Sequence, residues 1–456
     1  MKPASAWRGL LILAYATVAG LNLPGQTPFD TVTALWEGRT HVRMSWGPRM
    51  YSALLGLFDA VVPGTGLFTA ASILTLFLAW AALAKIAPRV SWAAPALLAL
   101  WLATPHILIL QGVVWRDVLF ADLTVAGFVA LAGAAKAWAQ PARRWSLLAL
   151  AAACLALGAL VRQNGGVVIG AAGLALAWTA RSGGWRRAVA WGGGGFLAVV
   201  ALMFALALVD PVREPPGTTH AVGLQLLAHY DIMGALAEDP SRPLPRLQAD
   251  QPAALAIARR AAPQVYSVQR IDTLDHAPAL GDALWSFHAP AMMGAWRDLV
   301  LSDPLGYARR RLAVFRWVFM TPDLPACGPL HLGVSGLPDV EQKLGLRDGP
   351  YLNSARLFAY AHAWYRTPFY SHLTYALLAC AVLAFLAIRR RPADGPIAGL
   401  MLGALGFTAS FLAVSIACDY RYLYALDLAA MTGALYVALD PSLKPVGPQS
   451  PKGRSG

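Results

Sequence analysis

Apolar runs of about 18 residues or more recur along the chain, separated by short charged or Gly/Pro-rich connections, and such runs predict membrane-crossing helices. The period-2 alternation of an outer-membrane barrel is absent. Apolar segments fall at 9–23, 66–86, 92–110, 118–135, 145–160, 167–180, 188–209, 372–388, 396–417 and 423–439. The pattern predicts an all-α polytopic membrane protein with about ten spans. A polar stretch, 210–371, separates the seventh span from the eighth and is long enough for a small, mainly helical domain. Within it, 253–262, 289–301 and 307–319 read as helices, the last announced by Asp303-Pro304. Residues 50–62 are apolar but too short to cross a hydrocarbon core of about 30 Å, so they predict an interfacial helix with Asp59 inside it. The expected organisation is a seven-span module (1–209), the polar domain (210–371), a three-span module (372–440) and a tail (441–456).

Composition agrees with this class. The chain is 57% hydrophobic and 13% charged, where a soluble domain carries roughly a quarter charged residues. The net charge of +13 does not point to nucleic acid, because much of the Lys/Arg excess sits in short loops between apolar runs. Lys2 and Arg8, Lys85 and Arg89, Lys136, Arg143 and Arg144, Arg181, Arg186 and Arg187, and Arg389 to Arg391 mark cytoplasmic ends. Both termini are then cytoplasmic, the tail carrying Lys444, Lys452 and Arg454, and the polar domain lies outside. No small-residue cleavage site follows the first run, which predicts a retained helix. The glycines at 192–195 would allow close helix contact. Neither an internal repeat nor mid-membrane polar residues are evident, as a transporter would require. Arg309, Arg310 and Arg316 sit among apolar residues in YARRRLAVFRWVF, on a helix that either lies on anionic headgroups or packs within its own domain. Cys154 and Cys380 lie in apolar runs. Cys327 and Cys418 both fall outside, which leaves a disulfide between them open.

On this topology Asp30, Glu37, Arg116, Asp117, Arg162, Asn164, Asp231, Asp419 and Arg421 gather at the outer face. Ionisable residues at span ends are costly unless paired or hydrated, which makes them site candidates. A carboxylate among arginines at a membrane face suits transfer of a sugar from a lipid phosphate. Arginine forks hold the phosphate and stabilise its growing charge, while a carboxylate across the sugar takes the proton of the attacking hydroxyl. Asp30 also opens a helix expected at 31–37, where an ordinary N-cap would explain it.

Several stretches resemble the GT-C superfamily of polyprenyl-phosphate-sugar-dependent glycosyltransferases. They are PFDTVTALWEG around Asp30, Trp46-Gly47-Pro48-Arg49, WRDVLFADL at 115–123, LVRQNGG at 160–166 and CDYRYLY at 418–424. The likeness is to the bacterial branch of aminoarabinose and lipid A or core-sugar transferases, related to protein O-mannosyltransferases. Two departures stand out. Thr31 follows Asp30 where many members have Glu, which leaves Glu37 as a second acid, and His-Pro-Pro is reduced to Trp46-Gly47-Pro48. The Trp-Trp-Asp-Tyr-Gly signature of oligosaccharyltransferases is missing.

The resemblance implies inverting transfer of a monosaccharide from a polyprenyl-phosphate donor to a hydroxyl of a lipid-linked or cell-surface glycan. The place implied is the outer face of a bacterial inner membrane. Asp30 is the implied base, with Arg162 and Arg421 on the phosphate and Arg116, Asp117, Asn164 and Asp419 beside them. No metal or other cofactor is called for; the partners are the donor, the acceptor and membrane lipid. An O-antigen-type polymerase or ligase using a diphosphate donor is one rival. A non-enzymatic flippase of lipid-linked sugars is another.

Overall fold

The computed structural model describes residues 2–214 and 222–443; the tail expectations at Lys444, Lys452 and Arg454 lie outside them. The chain is an all-α polytopic membrane protein. Among the described residues no named β-strand forms, only isolated bridges. In chain order the first part gives α1 (Pro3–Asn22), α2 (Phe29–Thr40), α3 (Arg49–Val61), α4 (Gly66–Ile86), α5 (Ala93–Ala103), α6 (Pro105–Leu108), α7 (Arg116–Lys136), α8 (Pro141–Val161), α9 (Val167–Ala180) and α10 (Trp185–Leu208). The polar stretch gives α11 (Val222–Glu238), α12 (Pro245–Asp250), α13 (Pro252–Val265), α14 (Pro278–Ser286), α15 (Ala289–Ser302), α16 (Pro304–Met320), α17 (Pro338–Leu344) and α18 (Ser354–His362). The last spans are α19 (His372–Arg389), α20 (Asp394–Val414) and α21 (Tyr424–Leu439).

Among the described residues eight helices are long and apolar enough to cross a membrane. The expected third span is not one rod: Ala93–Ala103 and Pro105–Gly112 meet at 67°. Pro105 supplies no backbone N–H, and Thr104 before it is extended (ψ 147°), so the helix cannot run through. The expected sixth span, α9, has 14 residues. At 1.5 Å per residue it covers about 21 Å, less than the hydrocarbon core. Residues predicted to be cytoplasmic do gather at one end of the bundle. Arg89 and Arg391 share Asp440 at 2.9 and 2.8 Å, Arg389 pairs with Asp394 at 2.6 Å, and Lys136 Nζ donates to the Lys85 carbonyl at 2.8 Å.

The helix α7 is the centre of the bundle. It is buried nearly all round: 89% of its spanning window is buried, against 11% for α10. Contrary to the expectation from sequence, the interior carries ionisable groups. His106, Asp122, His372 and Asp427 are fully buried. Asp427 faces His372 Nδ1 at 2.9 Å and His106 Nε2 at 3.4 Å, and accepts from the Tyr420 hydroxyl at 3.2 Å. Asp122 accepts from Ser72 Oγ and Gln111 Nε2 at 2.6 and 2.7 Å. The Tyr424 hydroxyl donates to Gln111 Oε1 at 2.8 Å. Asp122 lies six residues past Arg116 on α7, about 9 Å along the helix axis, and Asp427 lies six residues past Arg421, which precedes α21 in a short 3-10 turn. These buried groups form a hydrogen-bonded polar layer inside the bundle.

The polar stretch packs in two ways. Residues of α11 to α15 close over their own core around Leu236, Leu255, Ala262 and Leu280. From α16 onward the chain joins the main core through Val318, Val334, Val340 and Tyr370. The α16 arginines divide. Arg310 and Arg311 turn inward to Glu238 and Asp231, at 2.7 and 3.0 Å, while Arg309 stays exposed. Asp303 caps α16 by accepting from Gly306 N at 3.0 Å. Cys327 and Cys418 form a disulfide. The glycine run brings only part of α10 close to a neighbour. A Cβ on Gly192 would lie 2.8 Å from the Gly173 carbonyl, but one on Gly193 or Gly194 would meet nothing.

Candidate active site

The loop that carries Asp30 is sewn in place by backbone. Gln26 N donates to Gly112 O and Val114 N to Gln26 O, at 3.1 and 2.9 Å, while Thr27 N donates to Gly333 O at 2.8 Å. The Tyr51 hydroxyl donates to Val114 O at 2.8 Å, and Thr31 Oγ1 donates to the same carbonyl. The pair α2 and α3 cross where both chains are bare. A Cβ on Gly38 would stand 2.1 Å from Ser52 O, and one on Gly56 would stand 2.3 Å from Gly38 O. Asp59, unexplained in an apolar helix, ties this pair by accepting from Arg39 at 2.6 and 2.8 Å.

Asp30 is not the N-cap that its position suggests. The helix begins at Phe29 with Pro28 as its cap, and no side chain caps it. The carboxylate points instead at Arg421, whose Nη2 donates to Oδ2 at 2.7 Å, and it is 45% exposed. Burial pushes its pKa up, but the charges of Arg421 and Arg116, the Arg421 hydrogen bond and the charge of Arg162 outweigh that and hold it below the ordinary carboxylate value. It is therefore ionised at neutral and mildly acidic pH.

Glu37 is elsewhere. It is fully buried, and both oxygens are occupied: Met44 N and Ser45 N donate to Oε1 at 2.8 and 2.6 Å, and Ser52 Oγ donates to Oε2 at 2.6 Å. It pins the 41–48 loop. Asp231 is likewise away from Asp30, held by Arg311, Trp296 and Tyr307.

The three arginines differ in how they are compensated. Arg421 meets Asp419 at 3.1 Å as well as Asp30, and its Nε is 3.9 Å from Asp117. Asp419 also meets Arg270 at 3.1 Å. Arg162 lies 2.6 Å from Asp117, both nearly buried, with its guanidinium over the Tyr422 ring at 5.0 Å. Arg116 is 8% exposed and stacks over Trp46 at 5.1 Å. Among the described residues no carboxylate lies within 4 Å of it, and its buried Nε has no hydrogen-bond partner. Arg116 is thus a largely buried cation without a direct ion pair among the described residues.

Arg116 is part of the wall of two adjoining cavities that share Trp46, Gly47 and Pro48. One, of about 340 Å³, contains Asp30 and Arg421 with Phe29, Thr33 and Trp115. The other, of about 650 Å³, contains Arg162, Asn164 and Tyr422, and opens along Phe411 and Val414 of α20. Asn164 donates to Ser410 Oγ at 2.8 Å. Sequence reasoning quoted Trp46, Arg49 and Tyr422 within motifs but gave them no role, and it did not single out Arg43 or Arg270. Arg43 and Arg49 were visible as cations in the loop, but their anchors, Glu214 and Asp210, lie some 160 to 170 residues on. Among the described residues no three His, Cys, Asp or Glu side chains converge closely enough to hold a metal ion.

No family model and no curated protein sequence matches the chain. Among solved structures it is similar to the oligosaccharyltransferase of Archaeoglobus fulgidus in its apo form, at 13% identity and TM-score 0.43, covering 94% of this chain and 50% of that one. It is similar, at 13% identity and TM-score 0.41 with the same coverage, to the A. fulgidus oligosaccharyltransferase AglB in complex with an inhibitory peptide and a dolichol-phosphate. The chain spans about half the length of these structures.

Proposed function

We propose that the protein is a GT-C-type glycosyltransferase that moves a monosaccharide from a polyprenyl-phosphate donor to a hydroxyl of a lipid-linked or cell-surface glycan. The observation that carries this reading is the juxtaposition of an exposed, ionised Asp30 with a buried, uncompensated Arg116 across adjoining cavities. The donor is a phosphodiester with one negative charge, and Arg116 is the arginine of this cluster that has no carboxylate within 4 Å among the described residues. The donor phosphate sits against Arg116, flanked by Arg162 and Arg421, with its prenyl chain leaving along the α20 side. The acceptor oxygen attacks the anomeric carbon from the opposite face and its proton passes to Asp30. The bond from that carbon to the phosphate oxygen breaks, the anomeric centre inverts, and the arginines stabilise the dianion that leaves. Asp117 and Asp419 keep Arg162 and Arg421 in place. Glu37 has no part in the chemistry, since its oxygens are already engaged.

The test is transfer by the protein reconstituted in nanodiscs. A polyprenyl-monophosphate sugar should yield product of inverted anomeric configuration, and the matching diphosphate donor should be much poorer because its second charge finds no free cation. Equal use of the diphosphate donor would favour the polymerase or ligase reading. The bent α5–α6 pair and the buried Asp122 and Asp427 are features that a flippase reading would also use. Translocation of lipid-linked sugar without transfer would decide for that reading.

The site faces the outside in this proposal, in keeping with a disulfide beside Asp419, since disulfides persist in oxidising compartments. Reporter fusions after Arg144, Arg187 and Arg391 are expected to report cytoplasm, and fusions within 210–371 the outside. A cytoplasmic signal from 210–371 would put the site on the wrong face.

A further inference from the structure

At the end of the bundle away from Asp30, the helices α8, α9 and α10 enclose a groove of about 540 Å³. Its walls are apolar, from Leu148 and Leu155 on α8 to Leu176 on α9 and Val199 on α10. The close approach of Gly192 to Gly173 pins α10 against α9 at that end, and beyond it no side chain of this protein fills the space beside Gly194. Trp145 and Trp191 line the groove. Together with Trp138 they surround Arg144, whose guanidinium carbon lies 5.3, 5.4 and 5.3 Å from the rings of Trp138, Trp145 and Trp191. One Nη donates to the Trp138 carbonyl at 3.1 Å, and the buried Nε has no hydrogen-bond partner. Among the described residues no carboxylate lies within 4 Å of Arg143, Arg144, Arg186 or Arg187. Arg144 and Arg162 stand at opposite ends of α8, about 27 Å apart at 1.5 Å per residue, so the groove is separate from the proposed donor site.

We propose that this groove binds an anionic glycerophospholipid of the leaflet opposite Asp30. One acyl chain lies between α8 and α10, and the phosphate meets Arg144. An apolar slot within the membrane takes any lipid chain. The uncompensated guanidinium at its mouth selects an anionic headgroup, by electrostatic attraction to the phosphate and by the donors that the tryptophan cage orients toward it. The proposal does not depend on the transferase reading.

The experiment is native mass spectrometry of the full chain equilibrated with equal amounts of phosphatidylglycerol and phosphatidylcholine. Wild type should retain the anionic lipid about fivefold over the zwitterionic one, the preference expected of one basic residue near a membrane surface. Arg144→Ala should abolish the preference while still retaining lipid. Gly194→Phe, which fills space that is empty in the wild type, should lose the retained lipid of either kind without moving the melting temperature. Gly194→Leu is the smaller alternative if Phe prevents insertion. Equal retention of both lipids by wild type would reduce the groove to ordinary boundary contact and overturn the proposal. So would undiminished retention by the Gly194 variants, or a lipid-free dimer whose formation Gly194→Phe blocks, because a second copy would then be the occupant.

Discussion

Asp30→Asn should leave the protein inserted and able to bind donor, but should lower transfer by roughly 10²–10⁴-fold, the usual contribution of a positioned general base. The substitution is close to isosteric, and its carbonyl oxygen can still accept from Arg421. Because Asp30 caps no helix end, loss of activity cannot be traced to an unravelled α2. The pH dependence gives a second readout. The folded pKa is depressed, so the carboxylate is ionised at neutral pH and the acid limb of kcat/KM should lie below the ordinary range for an aspartate. Arg421→Ala removes the strongest attraction and should move that limb to higher pH. The same sign governs stability: the Asp30–Arg421 pair contributes above the unfolded pKa and is lost as pH falls through the folded one. Full transfer by a folded Asp30→Asn protein would sink the base assignment and leave Asp117 and Asp419 as the carboxylates among the arginines.

Arg116→Ala should weaken donor binding roughly ten- to a hundredfold, since a hydrogen bond to a charged group is worth about 1.5–3 kcal/mol. Its cost to folding should be small, because no carboxylate is stranded when the guanidinium goes; the loss is the stack on Trp46. Arg116→Lys should recover part of the affinity, as Lys has the charge without the planar fork. Arg162→Ala should behave differently. It leaves Asp117, which is 2% exposed, with only Arg421 at 3.9 Å, and breaking a buried pair costs about 3–5 kcal/mol. The two arginines that a sequence reading favours, Arg162 and Arg421, are thus the ones whose loss confounds affinity with stability. Titration of the three variants with a polyprenyl-phosphate sugar, beside their melting temperatures, separates the cases. Normal donor affinity in Arg116→Ala would move the phosphate site to another arginine.

The bundle was legible because most spans are long apolar runs, and the runs at 118–135 and 423–439 needed no context to be helices. The convergence of Asp30, Arg116, Asp117, Arg162, Asp419 and Arg421 was legible too, since charge at span ends and the topology place them at one face. What sequence could not supply was pairing. Arg162 with Asp117 and Arg421 with Asp30 join residues 45 and 391 apart in the chain, so which guanidinium stays uncompensated is a property of the fold. Glu37 stands seven residues after Asp30 and looked like a second acid, yet the loop it holds, at Met44 and Ser45, turns back over it. The bend before Pro105 was signalled by proline, but an apolar run of spanning length hid it. The ionisable groups of the interior were hidden in the same way, as single polar residues in long apolar helices.

That interior layer has a consequence for how the chain is made. His106 and Gln111 leave the ribosome some 310 residues ahead of Tyr420, Tyr424 and Asp427, the groups that complete their hydrogen bonds. Throughout that interval the first half of the bundle must hold polar side chains in or near lipid with part of their bonding unmet. The early helices therefore stay mobile against one another, or shielded by the insertion machinery, until the last hairpin arrives. The arrival of α21 is then what locks the arrangement, and it delivers Arg421 to Asp30 in the same step. A nascent chain truncated before residue 420 lacks both the lock and the arginine that pairs with Asp30, so the bundle and the proposed site are completed by one event.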